Sequence, residues 1–249
     1  MLVLERQATL SYWNAISRII EHVISEELPN ILQAAELIAQ TVEKGHYIYV
    51  FGVGHSSIVC KEMFHRAGGL VPVIPMCDFN TLGLDRVRRA IEIQWVIGYG
   101  RYLLKVYDVE RGSVTIVVSN TGVSPLPLEV AIGAKDRGSS VIAITSVSCS
   151  RKLEPRNPWR KRLFEVADVA IDNKVPAGDA VAELGRRVKA GPVSTLVNVF
   201  IVNTIALEAL KILEKRGVEP PVWMSIANPG GEEYNAEMLK RFPKLKLLF

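Results

Sequence analysis

Residues 114–145 read VTIVVSNTGVSPLPLEVAIGAKDRGSSVIAIT, and this stretch decides the fold. The run 114–118 is wholly β-branched, as expected of a strand covered on both faces. A hydroxyl-rich turn follows, then a helical pattern over 127–137 that stops at Gly138, a residue suited to the left-handed helix end. A second run, 141–145, β-branched but for Ala143, completes a strand–helix–strand unit, whose crossover is right-handed and whose strands are parallel. The pattern repeats on either side. YIYVF at 47–51 reads as a strand followed by a helix over 57–67, and 71–74 as another strand. Residues 85–106 are helical, and 169–171 form a fifth strand. Alternating elements of this kind give an α/β fold, a doubly wound parallel five-stranded sheet in the flavodoxin-like order.

Residues 9–44 read as two helices broken at Glu27-Leu28-Pro29-Asn30, since proline cannot continue a helix. Helix 194–215 closes the fold at Gly217. The expected organisation is an N-terminal helical extension (1–44), the main domain (45–217) and a closing segment (218–249) packed on the same domain.

Hydrophobic residues make up 49% and charged residues 22% of the 249, enough for a sizeable core. The net charge of +4 suits an anionic small molecule and is too dispersed for nucleic acid. Three cysteines, Cys60, Cys77 and Cys149, form neither a disulfide framework nor a metal set, so a reducing, cytoplasmic setting is expected. Glu5 and Arg6 argue against a signal peptide. The apolar run 193–207 is interrupted by Asn198 and Asn203 and followed by Glu208. It reads as a core or subunit-interface helix and not as a membrane span.

Two loops carry the functional signal. Gly52-Val53-Gly54-His55-Ser56-Ser57 follows a strand and opens a helix. Glycines let backbone approach a ligand, and a helix N-terminus offers free N–H groups to an anion. The third glycine of a dinucleotide fingerprint is missing, and no Gly-Lys-Ser/Thr occurs, so neither nucleotide motif is complete. Ser119-Asn120-Thr121-Gly122-Val123-Ser124 occupies the equivalent position after the next strand. An N-cap explains one of its hydroxyls but not three. Both loops leave the carboxyl ends of strands, where open α/β sheets place ligands. A phosphorylated sugar fits this pair, with Gly54, His55, Ser56, Ser57, Ser119, Asn120, Thr121 and Ser124 as binding candidates.

The chain resembles the sugar isomerase, or SIS, domain family, closest to its stand-alone phosphosugar-binding branch. The resemblance rests on GVGHSS, SNTGVSPLPLEVAIGAKDRGSSVIAITS, DVAIDNKVPAGDA, GPVST and SIANPGGEEYN in that order. It implies a flavodoxin-like three-layer sandwich and sugar-phosphate isomerase activity. It also implies homodimers or homotetramers whose sites a neighbouring subunit completes. By the family pattern Ser56, Ser119, Thr121 and Ser124 hold phosphate, and Ser194 and Thr195 at another helix start contribute; a plain N-cap beside Pro192 explains those two equally well. Where the resemblance leads one to expect Ser-Arg-His followed by Ser-Gly, this chain has Pro155-Arg156-Asn157-Pro158-Trp159-Arg160. Asparagine cannot replace histidine in proton transfer.

Aldose–ketose isomerisation needs a base to move a proton between neighbouring carbons. Glu62 and His65, three apart on the expected helix 57–67, are the candidates, although an ion pair of Glu62 with Arg66 is the simpler reading of that carboxylate. Glu129 reads as structural, a carboxylate at a helix start. Asp172 and Asp179 lack a third ligand at metal spacing, so neither metal nor cofactor is expected. The basic loop 151–162 reads as a solvated face, with phosphate steering or subunit docking as alternatives. Two other outcomes stay open: a non-catalytic sugar-phosphate sensor, and a phosphosugar lyase or etherase.

Overall fold

In the computed structural model, which describes residues 2–184 and 187–249, β1 (Ile48–Gly52), β2 (Val73–Pro75), β3 (Val114–Val118), β4 (Ser140–Thr145) and β5 (Val169–Asp172) form one sheet. The order is β2-β1-β3-β4-β5 and every pairing is parallel. The β-branched residues of β1, β3 and β4 are almost entirely buried, as a sheet covered on both faces requires. The helices are α1 (Leu2–Glu43), α2 (Ile58–Met63), α3 (Phe79–Leu82), α4 (Val87–Ile93), α5 (Tyr99–Val106), α6 (Pro125–Asp136), α7 (Val147–Arg151), α8 (Leu163–Val166), α9 (Ser194–Lys215) and α10 (Gly231–Arg241). Helices α1, α2 and α9 pack together on one side, and α5, α6 and α8 pack together on the other. The chain is therefore the expected three-layer α/β sandwich.

Several local expectations are corrected. The helix break at 27–30 does not occur: α1 runs through Pro29. A mid-helix proline costs about 3 kcal/mol. That cost is offset by the buried stripe Val23, Ile31, Ala34, Ala35, Ile38, Ala39 and Val42, which packs on α9 and the sheet. The segment 85–106 is two helices and not one, separated at Gly98, whose φ of 94° excludes continuous helix. The helix expected over 57–67 is short, with a 3₁₀ turn (Gly54–Ser57) before α2. A hairpin of β6 (Ala180–Leu184) and β7 (Val188–Pro192), not among the expected elements, lies between β5 and α9.

Helix α9 is long and apolar enough to cross a membrane. Its Val197, Ile201, Val202, Ile205, Ala209 and Leu213 are instead buried in the protein core. The segment after it adds Trp223, Met238, Phe242 and Leu245 to that same core.

Candidate functional site

The strand register brings the two loops together. Gly52 pairs with Val118 across β1 and β3, so residues 53–57 and 119–124 leave the sheet side by side. At this point the helix after β1 goes to one face and the helix after β3 to the other, which opens a crevice between them. A cavity of about 320 Å³ fills it. Gly54, His55 and Ser56 line one side, and Ser119, Asn120 and Thr121 the other. Leu82, Gly83, Val87, Ala90, Ile91 and Gln94, from the α3–α4 region, cover it. Among the described residues that line it, none is a lysine, arginine, aspartate or glutamate, and His55 is the one imidazole.

The first loop turns tightly. A Cβ on Gly52 would collide with the Ser56 carbonyl, and Gly54 has φ of 59°. The Ser57 hydroxyl donates to the Gly54 carbonyl at 2.6 Å, so it holds the turn and is buried. In the second loop Gly122 has φ of 58°, and its N–H donates to Ser119 Oγ at 3.2 Å.

Asn120 is held from three directions. Its carbonyl accepts from Ser146 N–H at 3.1 Å and Thr145 Oγ1 at 3.2 Å. Its side-chain Oδ1 accepts from Asn173 Nδ2 at 2.7 Å. Asn173 is fixed in turn, because its Oδ1 accepts from Val175 N–H at 3.1 Å and its Nδ2 also donates to Asn198 Oδ1 at 2.9 Å. A backbone donor thus decides the Asn173 orientation, and Asn173 decides that of Asn120: oxygen toward the protein, NH₂ toward the cavity side. Sequence reading missed Asn173. Asn198 appeared only as an interruption of an apolar helix, and that interruption was its signal.

The other expected residues lie outside this cavity. Ser124, 4% exposed, precedes α6 and caps it with no side-chain bond. Ser194 donates N–H and Oγ to the Asp179 carboxylate, at 2.7 Å each, so the aspartate caps α9 and holds Ser194; Thr195 follows in the same turn. Glu62 lines a separate hollow beside α9, where its carboxylate accepts from Asn203 at 2.7 Å and pairs with Arg66. His65 falls past the end of α2 with φ of 43°, its ring centroid 4.7 Å from each of Trp223 and Phe249. Partial burial and the nearby Lys61 charge lower its pKa. Within one chain neither candidate base reaches the crevice lining.

Glu129 is structural, though not as its own helix would imply. Its carboxylate, 2% exposed, accepts from Gly98 N–H at 2.9 Å and Gly100 N–H at 2.8 Å, and pairs with Arg101. It therefore caps α5 from the side of α6. Asn157 is likewise buried and structural: it donates to the Val123 and Lys161 carbonyls, at 3.0 and 2.8 Å.

Comparison with known proteins agrees with this architecture. The model of the SIS domain matches residues 11–146. A UPF0309 protein of Shouchella clausii is 34% identical over 232 residues, covering 92% of this chain and 94% of its own. One from Brucella anthropi is 37% identical over 211 residues, covering 84% and 86%. Among solved structures, phosphoheptose isomerase GmhA from Neisseria gonorrhoeae superposes with a TM-score of 0.54 at 16% identity, over 84% of this chain and 98% of that one. A phosphoheptose isomerase from Francisella tularensis gives 0.53 at 16% identity, over 81% and 96%. At such identity the two structures speak for the fold. Sequence match, sheet order and paired loops converge: the chain belongs to the SIS domain family.

Proposed function

We propose that the chain binds a phosphorylated sugar in the crevice between β1 and β3 and interconverts it as a sugar-phosphate isomerase. One observation carries the binding reading: Ser56, Ser119 and Thr121, from two different strand-end loops, line a single cavity. Three hydroxyls can donate to phosphate oxygens even where no cationic side chain lines the wall. Helix α6 itself adds no free N–H in its first three residues, since Pro125 and Pro127 carry none and Leu126 N–H donates to the Gln94 carbonyl at 3.0 Å. The sugar would lie toward Asn120, His55 and Gln94, whose polar groups match its hydroxyls. Phosphoheptose isomerases share the fold, which is consistent with this reading. Isomerisation requires a group that takes and returns a proton, and His55 is the imidazole within reach. Glu62 and His65 remain candidates only for a site that a second subunit completes.

A second reading is favoured by the absence of any carboxylate among the described lining residues: a sensor that binds the phosphosugar without turning it over. A reducing, cytoplasmic setting is part of the proposal and is supported by the three free thiols.

Thermal unfolding with hexose, heptose and amino-sugar phosphates tests the binding. Saturating ligand stabilises by about 2.7 kcal/mol at a hundred times Kd. Stabilisation by the phosphates and not by the free sugars is expected; no response to any phosphate overturns the reading. Aldose–ketose interconversion followed by NMR, lost in His55→Ala, separates enzyme from sensor.

A further inference from the structure

A second hollow adjoins the first. It is a groove of about 590 Å³ whose walls include Trp95, Pro125, Arg156, Asn157 and Arg160. The two share a partition: Gln94 faces the first and Trp95 the second, and on α6 Pro127 faces the first and Pro125 the second. The charge divides unequally between them. The first cavity has no cationic lining among the described residues, whereas the groove has two arginines.

Neither guanidinium is bonded to another side chain among the described residues. Within the basic loop, Arg162 pairs with Glu165 and donates to the Ser150 and Leu153 carbonyls, and Arg151 lies over Phe164. Arg156 and Arg160 form no ion pair among the described residues, and both are exposed. Their backbone is nonetheless fixed. Arg156 N–H and Asn157 Nδ2 both donate to the Val123 carbonyl, at 3.1 and 3.0 Å, and Leu163 N–H donates to the Gly122 carbonyl at 2.9 Å. Arg160, at φ of 50°, donates its N–H to the Asn157 carbonyl at 3.1 Å. The loop is thus stapled directly to the second binding loop, and it holds two guanidinium groups beside the crevice. A solvated charge run needs no such anchoring through a buried asparagine.

We propose that this groove is a second anion subsite, so that the ligand is a phosphosugar carrying a further acidic group, either a carboxylate or a second phosphate. The proposal rests on the phosphosugar reading above. Phosphate sits between the two loops, the sugar spans the Gln94–Pro125 partition, and the second acid meets the forks of Arg156 and Arg160. Guanidinium suits both acids because its donors are planar and paired. Trp95 offers an apolar face to the intervening carbons.

Calorimetric titration of the full chain with glucose 6-phosphate, 6-phosphogluconate and fructose 1,6-bisphosphate tests it, and the last two distinguish carboxylate from phosphate. At least one doubly acidic ligand is expected to bind about tenfold or more tighter than the monophosphate. In Arg156→Ala/Arg160→Ala that ratio collapses toward one. Equal affinities in the wild type, or a ratio unaltered in the variant, overturn the second subsite while leaving monophosphate binding as its own result. A changed mass in light scattering with an unaltered ratio assigns the groove to subunit contact and likewise overturns it. Failure of all three ligands to bind the wild type overturns the phosphosugar reading itself.

Discussion

Asn173 donates to Asn120 Oδ1 at 2.7 Å, and so fixes the side-chain amide of the second binding loop from beneath. The donor is fully buried and joins the end of β5, α9 and the loop after β3 through three side-chain hydrogen bonds. Replacing Asn173 with alanine leaves Asn198 Oδ1, Asn120 Oδ1 and Val175 N–H without this partner. Each unmet buried group costs about 1–3 kcal/mol. Asn173→Ala is therefore expected to lower stability by about 2–4 kcal/mol in urea unfolding. It should also weaken phosphosugar binding by more than the lost stability implies for the folded fraction. Unchanged binding by the folded variant would show that Asn120 orientation does not matter.

Glu129 tests the anchoring of α5. Its buried carboxylate accepts two backbone N–H groups and pairs with Arg101. Glu129→Ala should cost about 3 kcal/mol, because the Gly98 and Gly100 donors lose a charged acceptor. Hydrogen exchange should quicken first at 98–106. A loss of stability without local exchange there would place its effect elsewhere.

Gly52 tests the shape of the first loop. A Cβ at this position meets the Ser56 carbonyl, which is backbone and cannot swing aside. Gly52→Ala should destabilise by about 2–3 kcal/mol and abolish binding through displacement of Ser56. Full binding by this variant would remove the first loop from the site.

These residues show how far sequence reaches. The β-branched runs and Gly138 made the sheet and its order legible, because a strand buried on both faces needs a continuous apolar run. The two loops were legible for the same local reason. Pro29 misled, because its local cost is overcome by packing along forty-two residues of α1. The division of 85–106 into α4 and α5 was not legible, since the break at Gly98 is set by the distant Glu129 carboxylate. Nor was the placement of Glu62, whose partner Asn203 lies 141 residues along the chain. Spacing on a helix shows which residues share a face, but not what that face meets.

Alkaline pH bears on Tyr49. Burial, the largest influence, pushes its pKa up to about 12, against the opposing bond from Lys244; the Glu110 and Asp108 charges add to the rise. A raised tyrosine pKa favours the neutral form in the folded state. That stability is complete below pH 10 and is lost as pH climbs from about 10 through about 12. Two units correspond to about 2–3 kcal/mol. Tyr49→Phe should flatten the decline over this window, because the Asp108 carbonyl retains Lys244 as a donor. An equally steep decline in the variant would assign it to other groups.

Assembly is tested through α1 and α9, which leave Trp13 63% and Leu207 58% exposed. We propose that these apolar faces are covered by further copies of the chain. Light scattering should give two or four times 27.6 kDa, and Leu207→Glu should reduce it. A wild-type monomer at micromolar concentration contradicts the proposal.

Phosphosugar binding between β1 and β3 is tested most directly by a crystal structure with glucose 6-phosphate at saturating concentration. The expected result is a phosphate within hydrogen-bond reach of Ser56, Ser119 and Thr121, with the sugar toward Asn120 and His55. A sugar phosphate bound at any other surface, with this crevice empty, would contradict it.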